Sequence, residues 1–404
     1  MRAAFFHDHR FGRDRSGTYY SNGALPYRAL ARYVRQFDHL LVVARVQPAS
    51  SRTRTVASGA GVEMACLESS WRLALPLGSP LGRHVRKVMS AVDCAIIRLP
   101  SLIGRVACQE AIRAGKPWMV EVVGCALESL WNHGSLPGKV LAVPTYLLIR
   151  RCVERAPFAL YVSESFLQHR YPSRGRSVAC SNVVIDAPRP GVLQSRLARL
   201  DAGVDPRRAV LGLIGSLDVD YKGHETAIHA IARMKDRFPH VELRCLGGGA
   251  PARWRRLAAR LGVESNVRFD GSLPGGAPVL EWLDGLDVIL TPSRTEGLPR
   301  ALIEAMSRAL PALGSSVGGI PELIAEPCLH PARDDRALAE LIERLLGAPE
   351  EMKAQARRNW ERAGAYSADI LERRRFRFLA EFRAFAAEST RERGGCAGDP
   401  APVR

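Results

Sequence analysis

The chain has 404 residues, enough for two domains and at the outside three. With 47% hydrophobic and 25% charged residues its composition is globular, which excludes wholesale disorder and fibrous architecture. Its longest apolar run, Leu141–Ile149, is broken by Pro144 and falls far short of the roughly 20 residues a membrane span needs.

The first 15 residues crowd five charges into Asp8–Arg15 and do not read as a cleaved secretory signal. Nine cysteines are scattered without a C-x-x-C spacing. That argues against a disulfide framework or structural zinc and for a reducing, cytoplasmic compartment. Net charge is +17, unevenly spread: residues 1–185 hold 25 basic and 11 acidic side chains, the remainder 33 and 30. An excess confined to one half points to an anionic partner for that half, or to a solvated surface from an arginine-rich proteome.

In chain order, Ala3–Phe6, Leu40–Ala44, Cys94–Leu99, Trp118–Val123 and Phe158–Val162 read as strands of a first α/β domain over 1–185. A proline-rich, polar linker is expected over 186–206. The second domain, 207–362, is clearer. Short apolar runs at Val210–Ile214, Val241–Leu246, Val267–Phe269, Asp287–Leu290 and Pro311–Leu313 alternate with helical patterns such as Glu225–Phe238 and Ala301–Leu310. That alternation implies βαβ units and a parallel sheet. Glycines and prolines cluster just beyond these strands, where ligands bind in an open parallel sheet. A basic helix over 363–388, packing back toward the first domain, and a disordered tail over 389–404 complete the expected order.

The stretch Ser293–Met306 concentrates the chemistry. Pro299 suits the start of a helix, with Leu298, Leu302, Ala305, Met306 and Ala309 as its buried stripe. Glu296 precedes that helix, and Glu304 lies about five residues in, about 7–8 Å further along. Two carboxylates so placed flank a helix N-terminus whose free amides attract phosphate. Capping by Glu296 and solvation of Glu304 are the bland alternatives.

Together with Asp287–Ser293, the E-x7-E spacing of Glu296 and Glu304 resembles the retaining glycosyltransferases of family 4 (glycosyl transferases group 1). Three further segments are similar in order and spacing: Gly215–Gly223 ending in Lys-Gly, Cys245–Gly249, and Ser316–Glu322 with its Gly-Gly-Ile-Pro-Glu. In the first half the likeness rests on strand rhythm and on Arg98–Ser101, similar to bacterial enzymes that build surface polysaccharides. The resemblance implies an α/β chain of the GT-B fold, two facing Rossmann-like domains, each with a parallel sheet flanked by helices.

It further implies transfer of a sugar from a UDP- or GDP-sugar to an acceptor hydroxyl with retention, in synthesis of a polysaccharide or lipid-linked glycan. By position, Lys222 would contact the donor phosphates, Glu296 the transferred sugar with the amides of Gly297 and Leu298 nearby, and Glu304 the ribose. Gly215, Ser216, Gly248, Gly249 and Phe269 would frame the nucleotide. Glu322 would order the Gly318–Gly319 turn rather than touch substrate.

The family often carries an arginine where Ser216 stands, so Arg294 or Arg300 is expected to supply the second cation on phosphate. No Asp-x-x-His-x-His stretch occurs; Arg98 is the catalytic candidate from the first domain, with His7, His9 and His133 behind it. Asp218 and Asp220 form a D-x-D, read as surface acids of a polar turn. With no H-E-x-x-H or His/Cys cluster, neither metal nor other cofactor is expected beyond the nucleotide sugar as co-substrate.

The basic first half suggests contact with an anionic membrane surface, through Arg83, Arg86 and Lys87 beside Leu73–Leu81, or through Arg150, Arg151 and Arg155. Rival expectations are a nucleotide-sugar-binding protein without transfer, or an epimerase. A basic nucleic-acid-binding protein is a third, although the chain lacks aromatic interleaving and any recognised nucleic-acid module.

Overall fold

The computed structural model describes residues 1–22, 25–49, 55–68, 80–132 and 135–395. The first ten strands form one sheet: β1 (Arg2–Arg13), β2 (Tyr19–Ser21), β3 (His39–Pro48), β4 (Thr55–Val56), β5 (Val62–Met64), β6 (Leu67–Glu68), β7 (Cys94–Leu99), β8 (Trp118–Val122), β9 (Phe158–Tyr161) and β10 (Arg176–Ala179). Its body is parallel, in the order β10-β9-β8-β7-β1-β3, with β5 and β6 beyond β3. Strands β7 and β8 are buried at every position, because helices cover both faces.

The first sheet is not purely parallel. β1 shifts register between Phe6 and Arg10 and runs on to Arg13, and its extension pairs antiparallel with β2, which pairs antiparallel with β4.

The second sheet holds β11 (Val210–Ile214), β12 (Glu242–Leu246), β13 (Val267–Gly271), β14 (Val288–Thr291), β15 (Ala312–Ser315) and β16 (Leu329–His330). All are parallel, in the order β13-β12-β11-β14-β15-β16. This is the doubly wound Rossmann order, and the order reverses between β11 and β14, where a crevice opens beyond the strand ends. In the first sheet the corresponding reversal lies between β1 and β7. Two Rossmann-like domains thus make up the chain.

Two segments differ from expectation. Within 186–206, Pro190–Asp201 is a helix. Its buried Arg196 donates to the carbonyls of Leu286 at 2.6 Å and Leu283 at 3.3 Å, and Arg199 pairs with Asp287 at 2.7 Å. The polar composition read as a linker is therefore a layer of the second domain, its arginines serving carbonyl ends.

The last helix, Ala368–Gly395, continues past the expected end at 388; residues 396–404 lie outside the described chain. It lies on the first domain, where Phe158 meets Phe378, Phe382 and Phe385 at 5.4–5.5 Å. Arg375 donates to the carbonyls of Ser181 at 2.9 Å and Cys180 at 3.3 Å.

Candidate active site

Three glycine turns interlock at the mouth of the second sheet. The Gly215 amide donates to the Leu246 carbonyl at 2.9 Å, Leu217 to Gly248 at 2.8 Å, and Gly247 to Gly271 at 2.7 Å. A methyl group on Gly247 would stand 1.9 Å from the Gly215 carbonyl oxygen, so the turns close only around glycine. A methyl on Gly215 would meet Lys222 Cγ at 2.8 Å, so the bare backbone there lets Lys222 lie against it. Gly249 holds φ +118 and sits against Asp218.

The Ser216 hydroxyl is spent locally, donating to the Gly248 carbonyl and accepting from the Asp218 amide, each at 3.3 Å. Asp218 accepts from the Ala250 amide at 3.1 Å, and Asp220 is bonded to Arg253. The D-x-D thus fastens its own loop. Among the described residues no group of three or more His, Cys, Asp or Glu is arranged to hold a metal ion.

Beyond β14 the chain turns through Ser293–Leu298 into the helix Arg300–Ser307, with Pro299 at the capping position, one residue earlier than its expected place inside the helix. The Lys222 ammonium meets Glu296 Oε1 at 2.6 Å, and the buried Ser293 hydroxyl donates to the same oxygen at 2.8 Å. The pair is mostly enclosed, with 23% of the Lys222 and 10% of the Glu296 side chain exposed.

A small pocket opens here, lined by Ile214, Lys222, Thr291, Glu296, Pro299 and Arg300. Glu304 is half-buried one turn in; desolvation pushes its carboxyl up, with Arg300 pulling the other way. Among the described residues its carboxylate accepts no hydrogen bond.

Of the two candidate phosphate cations, Arg294 is engaged. Its guanidinium reaches Glu225 at 2.5 Å, its amide donates to Tyr221 at 2.7 Å, and only 13% of the side chain is exposed. Arg300 is exposed and makes no hydrogen bond or ion pair among the described residues. Phe269 lies half-buried on β13 under the Arg255 guanidinium, 6.0 Å from its ring centre, and does not line the pocket with Lys222 and Glu296.

The expected first-domain residue is displaced from chemistry. Arg98 sits in β7 directly opposite Glu121 in β8. Its guanidinium donates to Glu121 Oε2 at 2.8 and 3.0 Å, and Tyr33 donates to Oε1 at 2.5 Å. All three side chains are buried. An arginine so enclosed completes a cross-strand ion pair under the helix Tyr27–Val34; contrary to expectation, its guanidinium is spent on structure and not offered to a substrate.

His7 and His9 follow on β1. Burial and the Arg98 charge lower both, His9 to about 4, so each is neutral near pH 7. His9 Nε2 lies 3.0 Å from Ser21 Oγ, and His7 Nδ1 accepts from the His9 amide at 3.1 Å. His133 lies outside the described residues.

Contacts between the domains hold residues that the motifs alone did not reveal. Glu322 reaches across the cleft and accepts from the amides of Glu164 and Phe166 at 2.6 Å, and from Ser165 N and Oγ at 3.0 Å. It does not line the pocket with Lys222 and Glu296, but it orders the first-domain loop Glu164–Phe166 where its own Gly318–Gly319 turn is the expectation. Asn132 donates to the Arg294 carbonyl at 3.2 Å, Thr295 donates to Glu128 at 3.0 Å, and a methyl on Gly297 would stand 2.3 Å from the Val123 carbonyl. These partners lie more than 150 residues apart in sequence, so no local pattern announces them.

Residues 208–348 match a family model described as Glycosyl transferases group 1. Over 392 residues, 95% of this chain and 96% of the relative, the sequence is 29% identical to protein CapJ of Staphylococcus aureus. Among solved structures, Anabaena HepE in complex with UDP-glucose superposes with a TM-score of 0.60 at 17% identity, covering 97% of this chain and all of the other. WaaG, a glycosyltransferase involved in lipopolysaccharide biosynthesis, does so with a TM-score of 0.59 at 16% identity, covering 96% and 99%. The fold is that of the GT-B glycosyltransferases.

Proposed function

We propose that this GT-B glycosyltransferase moves a sugar from a uridine diphosphate sugar to a hydroxyl of a glycan or lipid-linked acceptor, with retention and without a metal. The observation that carries the reading is the Lys222–Glu296 pair at the β11/β14 reversal, facing the start of a helix whose exposed Arg300 makes no hydrogen bond or ion pair among the described residues. The likeness to structures solved with UDP and UDP-glucose favours uridine over guanosine in the donor. The likeness to WaaG and the basic first half favour an acceptor at a lipid surface.

In this reading the donor diphosphate competes for Lys222, drawing its ammonium from Glu296 to the departing phosphate. Arg300 and the amides at the helix start add to that stabilisation. Glu296, still held by Ser293, is then free to accept from hydroxyls of the transferred sugar, while the unbonded Glu304 carboxylate takes the ribose. The leaving phosphate accepts the acceptor's proton on the face where the new bond forms. Such a route needs no protein base, so a neutral His7 and a structural Arg98 leave it intact.

Calorimetric titration with UDP, GDP and ADP in metal-free buffer tests the donor site. Micromolar binding of UDP alone, weakened at least tenfold by Lys222→Ala, is expected. Equal binding by both proteins, or none by the wild type, refutes the assignment. Release of UDP only when an acceptor is present separates transfer from mere binding.

A further inference from the structure

The helix Leu136–Arg155 is built inside out. Its inward positions include the small residues Gly138 and Ala142, whereas Leu136, Val140, Leu141, Val143, Leu147 and Leu148 stand 40–78% exposed. Positions 136, 140, 143, 147 and 151 recur at helical spacing, so the exposed side chains share one face. No charged residue interrupts Val140–Ile149, and the apolar part of the face runs about 20 Å along the axis. Trp131, 52% exposed, lies just before it on the helix Ala126–Asn132. Single exposed leucines are ordinary on a surface, but a contiguous row of them marks an interaction face.

Cations border this row. Lys139, Arg150, Arg151 and Arg155 are exposed and make no ion pair among the described residues. The helix's one acid, Glu154, is taken by Arg174 at 2.6 Å. Arg151, Arg155 and Arg174 line an open groove of about 590 Å³ at the helix's end. No helix among the described residues is long and apolar enough to cross a bilayer, so this one would lie in the plane of an interface.

We infer that the helix Leu136–Arg155 is the face by which the protein docks on an anionic lipid bilayer, its leucines and valines among the acyl chains and its arginines on lipid phosphates. Charge selects this occupant over a second copy of the chain, because a two-fold contact through the same face would bring together two surfaces whose unpaired charges among the described residues, Lys139, Arg150, Arg151 and Arg155, are all positive. The other basic cluster is a poorer candidate: Arg86 is bound to Glu110 at 3.1 Å, Leu81 is buried in the core, and residues 73–79 lie outside the described chain. The docking helix follows directly on the helix whose Glu128 and Asn132 grip Thr295 and Arg294. A lipid-linked acceptor would thus be presented beside the donor cleft, and to that extent the inference rests on the function proposed above.

Co-sedimentation with vesicles of phosphatidylcholine, with and without one third phosphatidylglycerol, tests it on the full chain. Tight binding to the anionic vesicles, weakened by salt, is expected. Val140→Asp with Leu147→Asp abolishes it. Arg150→Gln with Arg151→Gln weakens it about 30-fold, each basic residue at such a surface contributing about fivefold. Both double variants alter exposed positions and keep the wild-type circular dichroism and UDP titration. Equal binding to neutral and anionic vesicles, or binding that survives Val140→Asp/Leu147→Asp, overturns the inference. So does a concentration-dependent dimer that the same double variant dissolves, which assigns the face to a second copy. Loss of vesicle binding with intact UDP binding leaves the donor reading standing, and the reverse result leaves the docking face.

Discussion

Glu322 offers the sharpest test of how the two domains are held. One carboxylate accepts three amides and a hydroxyl from Glu164–Phe166, two of the bonds at 2.6 Å. Hydrogen bonds to a charged acceptor each contribute about 1.5–3 kcal/mol, but these donors are partly solvated and water replaces part of what Glu322→Ala removes. A net loss of about 2 kcal/mol in closure follows, about 30-fold in the ratio of closed to open molecules. Arg362 pairs with Glu164 at 2.6 Å on the same seam and remains, so the domains are loosened rather than freed. Small-angle scattering of Glu322→Ala should show a larger radius of gyration than the wild type, and turnover should fall while UDP affinity changes little. Glu322→Gln keeps one acceptor oxygen and should fall between. A scattering profile and turnover both identical to wild type would mean that Glu322 carries no closing energy, and the reasoning from bond count would be wrong.

Other perturbations separate chemistry from support. Lys222→Ala should lower kcat by about 10²–10³ with the fold intact by circular dichroism, the size of a lost electrostatic contact on a developing anion; unchanged turnover would remove that lysine from the reaction. Arg98→Ala should instead cost about 3–5 kcal/mol in urea unfolding, because the buried Glu121 carboxylate loses its partner; a stable protein with lost turnover would restore the catalytic assignment. Gly297→Ala places a methyl 2.3 Å from the Val123 carbonyl and should cut activity about 10²-fold through misplacement, each domain remaining folded by circular dichroism. His224 is buried, both ring nitrogens lack a hydrogen-bond partner among the described residues, and burial with the Arg253 and Lys222 charges lowers it from 6.5 to about 4. Below pH 6.5 the unfolded chain takes up a proton that the folded chain refuses. Stability therefore declines as pH falls from about 6.5 to about 4, by about 3 kcal/mol in all. His224→Leu should flatten that part of the profile; an unaltered slope would mean that other groups set it.

What could be read from the sequence was local. Glycine turns, the Lys222-Gly223 loop and the approach to the Arg300–Ser307 helix each depend on neighbours a few residues away, and all stand at the mouth of the second sheet. All ten anticipated strands are present, and in most of them the apolar run is buried in the core; β13, at the edge of its sheet, is only half-buried. The strands not anticipated, β2, β4, β5, β6, β10 and β16, are short or polar edge strands that exist by pairing rather than by composition. Arg98 misled because its partner Glu121 lies one strand over in register, a relation that spacing along the chain does not express. The run Leu141–Ile149 was visible as the longest apolar stretch, but its orientation was not. Apolar periodicity ordinarily names the inward face, and here Gly138 and Ala142 take that place because the neighbouring helix comes close.

The segment Arg294–Leu298 carries two duties at once. Its carboxylate, Glu296, faces the pocket with Lys222, while the residues around it are gripped from the first domain: the Arg294 carbonyl by Asn132, the Thr295 side-chain hydroxyl by Glu128, and Gly297 against Val123. From behind, Gly318 and Gly319 press on the backbone of Glu296 and Gly297 so closely that a methyl on either would overlap it, at 2.1 and 2.5 Å. Glu296 therefore cannot turn without moving a strip held on both sides. Separating the domains releases one side of that strip; closing them fixes the carboxylate. The orientation of Glu296 and the distance between the domains are in effect one coordinate. On the function proposed above, a sugar held at Glu296 would be positioned by the domain that presents the acceptor, which would tie correct placement of the donor to closure on both substrates.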